Sequence, residues 1–94
     1  MKVILDISIL VLAKKPPLRT MLRKIYETGL YPIPGIKIAD SAWKEPKKPK
    51  SISCSFDAEC YNLLFENVEK DTKENYEREV EIYKAQGWKS LTDV

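Results

Sequence analysis

Ninety-four residues with 44% hydrophobic content describe one small globular domain, too short for a second domain or a large substrate cavity. Histidine is absent, which removes the commonest general base and the commonest metal ligand together. The net charge of +2 hides a polarity: residues 1–50 carry 11 Lys+Arg against 4 Asp+Glu, residues 51–94 carry 5 against 10.

Val3 to Leu12 (VILDISILVL) is rich in β-branched residues and predicts a strand. Its odd positions, Val3, Leu5, Ile7, Ile9 and Val11, make a wholly apolar face. Its even positions, Ile4, Asp6, Ser8, Leu10 and Leu12, make a mixed one, the pattern of a strand in the middle of a sheet. Asp6 interrupts the apolar run and no small-residue cleavage site follows, so the segment does not read as a signal peptide. It is also too short to span a bilayer.

Lys14-Lys15-Pro16-Pro17 stops the strand, and Pro17 suits the first position of a helix. Leu18, Met21, Leu22 and Ile25 fall at i, i+3, i+4 and i+7, which predicts a first helix capped by Gly29 with Leu30 as its hydrophobic contact. Arg19, Arg23 and Lys24 lie off that stripe, toward solvent. Tyr31 to Gly35 (YPIPG) reads as a turn, and Ile36 to Trp43 as a short strand. Residues 44–50 (KEPKKPK) are unfit for a strand, because prolines remove donors and lysines repel; an exposed loop of polyproline character is expected.

Ser51 to Val68 predicts an antiparallel hairpin. A four-residue turn at Asp57-Ala58-Glu59-Cys60 pairs Phe56 with Tyr61, Cys54 with Leu63 and Ile52 with Phe65, all on one face. Ser51, Ser53, Ser55, Asn62 and Glu66 take the other. Cys54 then points inward and Cys60 sits in the turn, so the two thiols are poorly placed to bridge. Two cysteines without a secretory signature fit a reducing, cytoplasmic compartment. Asp71 and Glu74 have the spacing of a capping box, Tyr76, Val80 and Tyr83 supply a helical stripe, and Gly87 ends it with Trp88 folding back onto Tyr83. Lys89 to Val94 reads as a loosely held tail. The order strand, helix, three strands, helix predicts a single α+β domain over residues 1–94, a small two-layer sandwich with both helices on one face of a mixed or antiparallel sheet.

The opening VILDISILV resembles the first strand of PIN-domain nucleases, a likeness confined to those residues. The resemblance implies that Asp6 helps hold a divalent metal, with Asp40 and Glu45 the other acids near a strand end. Ser8, Ser41, Cys54 and Cys60 have no histidine to activate them, and the three glycines form no phosphate loop. The expectation is therefore no enzyme, no metal and no cofactor. Ala42 to Lys50 (AWKEPKKPK) is the most distinctive segment, four lysines around one tryptophan. From Pro17 onward the expected element order resembles that of double-stranded-RNA-binding domains. That resemblance implies lysines at the start of the last helix, where this chain has Glu69 to Glu74 (EKDTKE), mainly acidic. The candidate partner-binding residues are Trp43, Lys44, Lys47, Lys48 and Lys50, with Arg19, Arg23 and Lys24 beside them. Seven tyrosines and tryptophans point to docking on a protein or a second copy of the chain. The expected function is thus a non-catalytic protein-interaction or regulatory domain, with nucleic-acid binding through the lysine–proline loop as the alternative, and no membrane contact.

Overall fold

In the computed structural model, which describes residues 2–13, 15–29, 32–33 and 35–91, the α+β class holds but the element order does not. Strand β1 spans Lys2–Val11, β2 Leu18–Glu27, β3 Ser51–Ser55, β4 Cys60–Leu64 and β5 Val68–Glu69; helix α1 spans Lys73–Ala85 and β6 Lys89–Ser90. They form one six-stranded sheet in the order β3-β4-β1-β2-β6, with β5 also paired to β1. The central place predicted for the first strand is the one it takes. Val3, Leu5, Ile7, Ile9 and Val11 are buried, none more than 8% exposed.

Residues 18–27, expected as a helix, form the antiparallel partner of β1 along its whole length, from Lys2↔Glu27 to Val11↔Leu18. The helical stripe dissolves: Leu22 is fully buried whereas Ile25 is 55% exposed. The same residues also alternate, and the need of β1 for a hydrogen-bonded neighbour on each edge overrides a local 3.6-residue pattern. With that helix gone, the resemblance to double-stranded-RNA-binding domains loses its element order. The predicted contact at Leu30 lies outside the described residues, as do parts of the YPIPG turn. Ile36 to Trp43 is not a strand either; it joins the 44–50 loop through one isolated bridge, Ile38↔Lys47.

The predicted hairpin forms, with its turn one residue earlier at 56–59 and pairs running from Ser55↔Cys60 to Ser51↔Leu64. The parity of the faces survives the shift, but the thiols exchange places: Cys60 is buried and Cys54 is exposed. Cys54 shares a face with Ile52, yet β3 lies at the sheet edge, beyond the helix layer. Strand β4 runs parallel to β1 (Lys2↔Cys60 to Asp6↔Leu64), and the register advances by one residue before β5 joins at Ile9↔Val68. The extra residue is a bulge, which lets both Phe65 and Val68 face the core.

Helix α1 is the only helix among the described residues and packs Val80 and Tyr83 onto the apolar face of β1. Its N-cap is Thr72, whose hydroxyl accepts the Asn75 N–H at 3.1 Å, one residue after the expected Asp71. Gly87, at φ 92°, ends it, and Trp88 folds edge-on against Tyr83 as expected, with centroids 5.2 Å apart. Lys89 and Ser90 are not tail but the strand that pairs with β2 at Arg23 and Leu22. None of the described helical residues forms a helix long and apolar enough to cross a membrane.

This arrangement separates two neighbours that a helix would bury together. Leu22→Ala should lower stability by about 2–5 kcal/mol, whereas Met21→Ala on the opposite face should cost less than about 1 kcal/mol; urea unfolding followed by tryptophan fluorescence measures both.

Candidate functional site

Asp40 is the polar centre of the fold. Its side chain is 0% exposed, held in the loop that lies over the sheet between residues 36 and 43. Oδ1 accepts from the Lys24 ammonium at 3.0 Å and from the Tyr26 hydroxyl. Oδ2 accepts from the Ala42 backbone N–H at 2.9 Å and the Trp88 indole N–H at 3.0 Å. Lys24 donates again to the Gln86 carbonyl at 2.7 Å. Alternation along β2 explains the convergence, since Leu22, Lys24 and Tyr26 all face the helix layer.

Burial acts to raise the Asp40 carboxyl, but hydrogen bonds from Tyr26, Ala42, Trp88 and Lys24 outweigh it and hold it below its ordinary value. Burial likewise pulls Lys24 down, and its contacts with Tyr26 and Asp40 reverse the sign, leaving it above the usual lysine range. Tyr26 is raised, by burial first and by Asp40 next. All three groups thus keep their ordinary neutral-pH charge. Chemically the cluster is a clamp that ties β2, the 36–43 loop and the C-terminal segment together, with no group poised to exchange a proton near neutrality.

The basic residues singled out in the sequence do not converge. Lys24 is committed to Asp40. Arg23 makes a bidentate pair with Asp6, at 2.7 and 3.0 Å, and that hydrogen bonding raises its pKa against the opposing effect of burial. Arg19 donates to Ser8 Oγ at 3.4 Å. Arg19 and Arg23 are odd residues of β2 and project from the sheet face opposite α1. Trp43 belongs to the other side: its ring packs on Phe65 (4.8 Å) and Trp88 (5.7 Å), and its indole N–H donates to the Tyr83 hydroxyl at 2.7 Å. Burial, above all, pushes that Tyr83 phenol up to about 12. Lys47 sits 5.8 Å over the Trp43 ring. No ion pair among the described residues takes Lys44, Lys47, Lys48 or Lys50. On the acidic helix, Glu79 pairs with Lys70 and Glu77 with Lys73 instead.

The acids implied by the likeness to PIN-domain nucleases are also divided. Asp6 faces away from α1 with Arg23, and Asp40 lies in the layer with it. Among the described residues no three His, Cys, Asp or Glu side chains group closely enough to hold a metal ion.

What remains is a sheet face over which no element among the described residues packs, although Ser8 and Cys60 on it are buried. Its rows run Lys2 beside Glu27, Ile4 beside Ile25, Asp6 beside Arg23, Ser8 beside Met21 and Leu10 beside Arg19, with Cys60, Asn62 and Leu64 along β4. Ile25 is 55% and Leu64 42% exposed. On the helix side, an apolar cleft of about 240 Å³ opens between Val3, Leu5, Tyr26 and Ile38, and a mixed one of about 560 Å³ separates Trp43, Lys44 and Lys47 from Lys70 and Glu79. Sequence reasoning named Asp40 only as an acid near a strand end, not as the centre of a buried clamp, and it missed the parts played by Tyr26 and Ile25. The signal for Asp40 was the Asp-Ser-Ala stretch, whose carboxylate caps the N–H two residues on. The signal for the other two was the alternation of residues 18–27. Compared with protein-family models, curated proteins and solved structures, the chain matches none.

The Asp40 clamp has a pH signature. A depressed carboxyl stabilises the fold above its unfolded value, near 3.8, and loses that contribution as pH falls through the lower folded value. Asp40→Asn, which leaves Lys24 without its carboxylate, should cost about 3–5 kcal/mol at neutral pH. Urea midpoints measured against pH should show the gap between the two proteins closing below about pH 4.

Proposed function

We propose that this protein is a non-catalytic binding domain that docks a protein partner on the uncovered face of its sheet. The observation that carries the reading is the Ile4–Ile25 row, apolar and open, flanked by Leu64 and by the Asp6–Arg23 pair. An apolar centre with a charged rim, here Lys2, Glu27 and Arg19, is the composition of protein interfaces. The mixed face of a central strand holds few apolar residues when water is its only neighbour. Here Ile4 and Leu10 are half-buried.

A second reading rests on the four lysines of residues 44–50, none of which is in an ion pair among the described residues. They suit an anionic backbone such as that of a nucleic acid. Binding of that kind would work by charge alone, since Trp43 is committed to Phe65, Trp88 and Tyr83 and offers no free stacking platform.

A benzophenone amino acid placed at Ile25 in the native cell should yield protein adducts of defined mass that the same probe at Glu77, on the exposed side of α1, does not. Equal labelling at both positions, or none at Ile25, overturns the docking reading. Lys47→Glu with Lys48→Glu should leave the Ile25 adducts unchanged. If that pair instead abolishes a salt-steep retention on nucleic acid, the second reading takes its place.

A further inference from the structure

Among the described residues β3 pairs only with β4, so its outer edge presents a row of free backbone N–H and C=O groups. Such an edge is a template for another strand unless charge, proline or a bulge blocks it. Within Ser51–Ser55 (SISCS) there is none of these. The charges lie just outside, and they differ in sign at the two ends. Before the strand stand Lys48 and Lys50; after it, in the turn at 56–59, stand Asp57 and Glu59. The Lys50 N–H donates to the Leu64 carbonyl at 2.7 Å, so the chain already runs along the sheet before β3 begins.

We propose that β3 pairs antiparallel with β3 of a second copy, about a two-fold axis through Ser53, and extends the sheet across a dimer. Charge selects this occupant and this direction. In the antiparallel register the basic end of each copy lies beside the acidic turn of the other, twice over by symmetry, whereas parallel pairing would set lysine against lysine. The side chains fit the same register. Ser53 meets Ser53 of the second copy, and Ile52 meets Cys54, the exposed thiol on the core-facing side. Phe56, 90% exposed and the most exposed large hydrophobic side chain among the described residues, lands beside the aliphatic stem of the second copy's Lys50. A two-fold axis perpendicular to the sheet keeps both helices on one face. The proposal does not rest on the open-face reading, because it uses an edge and not that face.

Directly opposed residues of an antiparallel pair have Cα atoms about 4.5–5.5 Å apart, within disulfide reach. In a Cys54→Ser background, Ser53→Cys should therefore cross-link to a dimer in an oxidising glutathione buffer. Ser51→Cys alone should not, but an equimolar mixture of Ser51→Cys and Ser55→Cys should, since those positions oppose each other across the axis. Lys48→Glu with Lys50→Glu should weaken the dimer seen by sedimentation, and mixing it with Asp57→Lys plus Glu59→Lys should restore association as a heterodimer. Ile25→Arg should leave the dimer intact. A chain that stays monomeric at about 1 mM, where even a weak interface is populated, overturns the proposal. So does cross-linking of Ser51→Cys alone as fast as Ser53→Cys, and so does dissociation by Ile25→Arg, which moves the contact to the open face.

Discussion

Everything in this fold follows from the demands of one strand. β1 is ten residues long, apolar on one face throughout, and central, so it must find backbone partners on both edges and cover for five inward side chains. An unpaired buried amide costs about 1–3 kcal/mol, so one bare edge would cost as much as the whole domain is worth. β2 meets one edge along its full length, and β4 and β5 share the other across a bulge. Helix α1, Trp43 and Trp88 then close over the apolar face, and among the described residues no element closes over the other.

That hierarchy explains which parts of the structure could be read from residue order. The two faces of β1, the hairpin, the helix from 73 to 85 and the return of Trp88 onto Tyr83 are each set within about fifteen residues of chain, where periodicity and turn chemistry decide. Residues 18–27 are different. Leu18, Met21, Leu22 and Ile25 satisfy a helix, while Leu22, Lys24 and Tyr26 satisfy a strand, and only the neighbouring edge of β1 breaks the tie. The same choice decides the basic residues: a helix over 18–27 leaves Arg19, Arg23 and Lys24 on one solvated face, whereas the strand sends Lys24 inward and the arginines out.

The functional residues were harder to see for a related reason. Trp43 and the lysines stood out by composition, but a tryptophan's role depends on what lies beneath it, and here that is Phe65 and Tyr83. Asp40 stood out only as an acid near a strand end; its role as a clamp comes from donors on three separate segments. The hairpin shows the same limit in small: face parity could be read, but the turn sits one residue earlier than expected, which takes Cys60 into β4, and the place of β3 at the sheet edge leaves Cys54 exposed.

The clamp also sets an order of events during synthesis. Asp40 is 48 residues from Trp88, and Lys24 is 62 residues from Gln86. Until Trp88 has left the ribosome tunnel, a growing chain that packed the 36–43 loop onto its sheet would leave Lys24 and Asp40 short of two of their partners in a dry interior. The amino-terminal half can therefore form its hairpin early but gains little by closing its roof, and commitment to the native structure waits for the carboxyl-terminal segment.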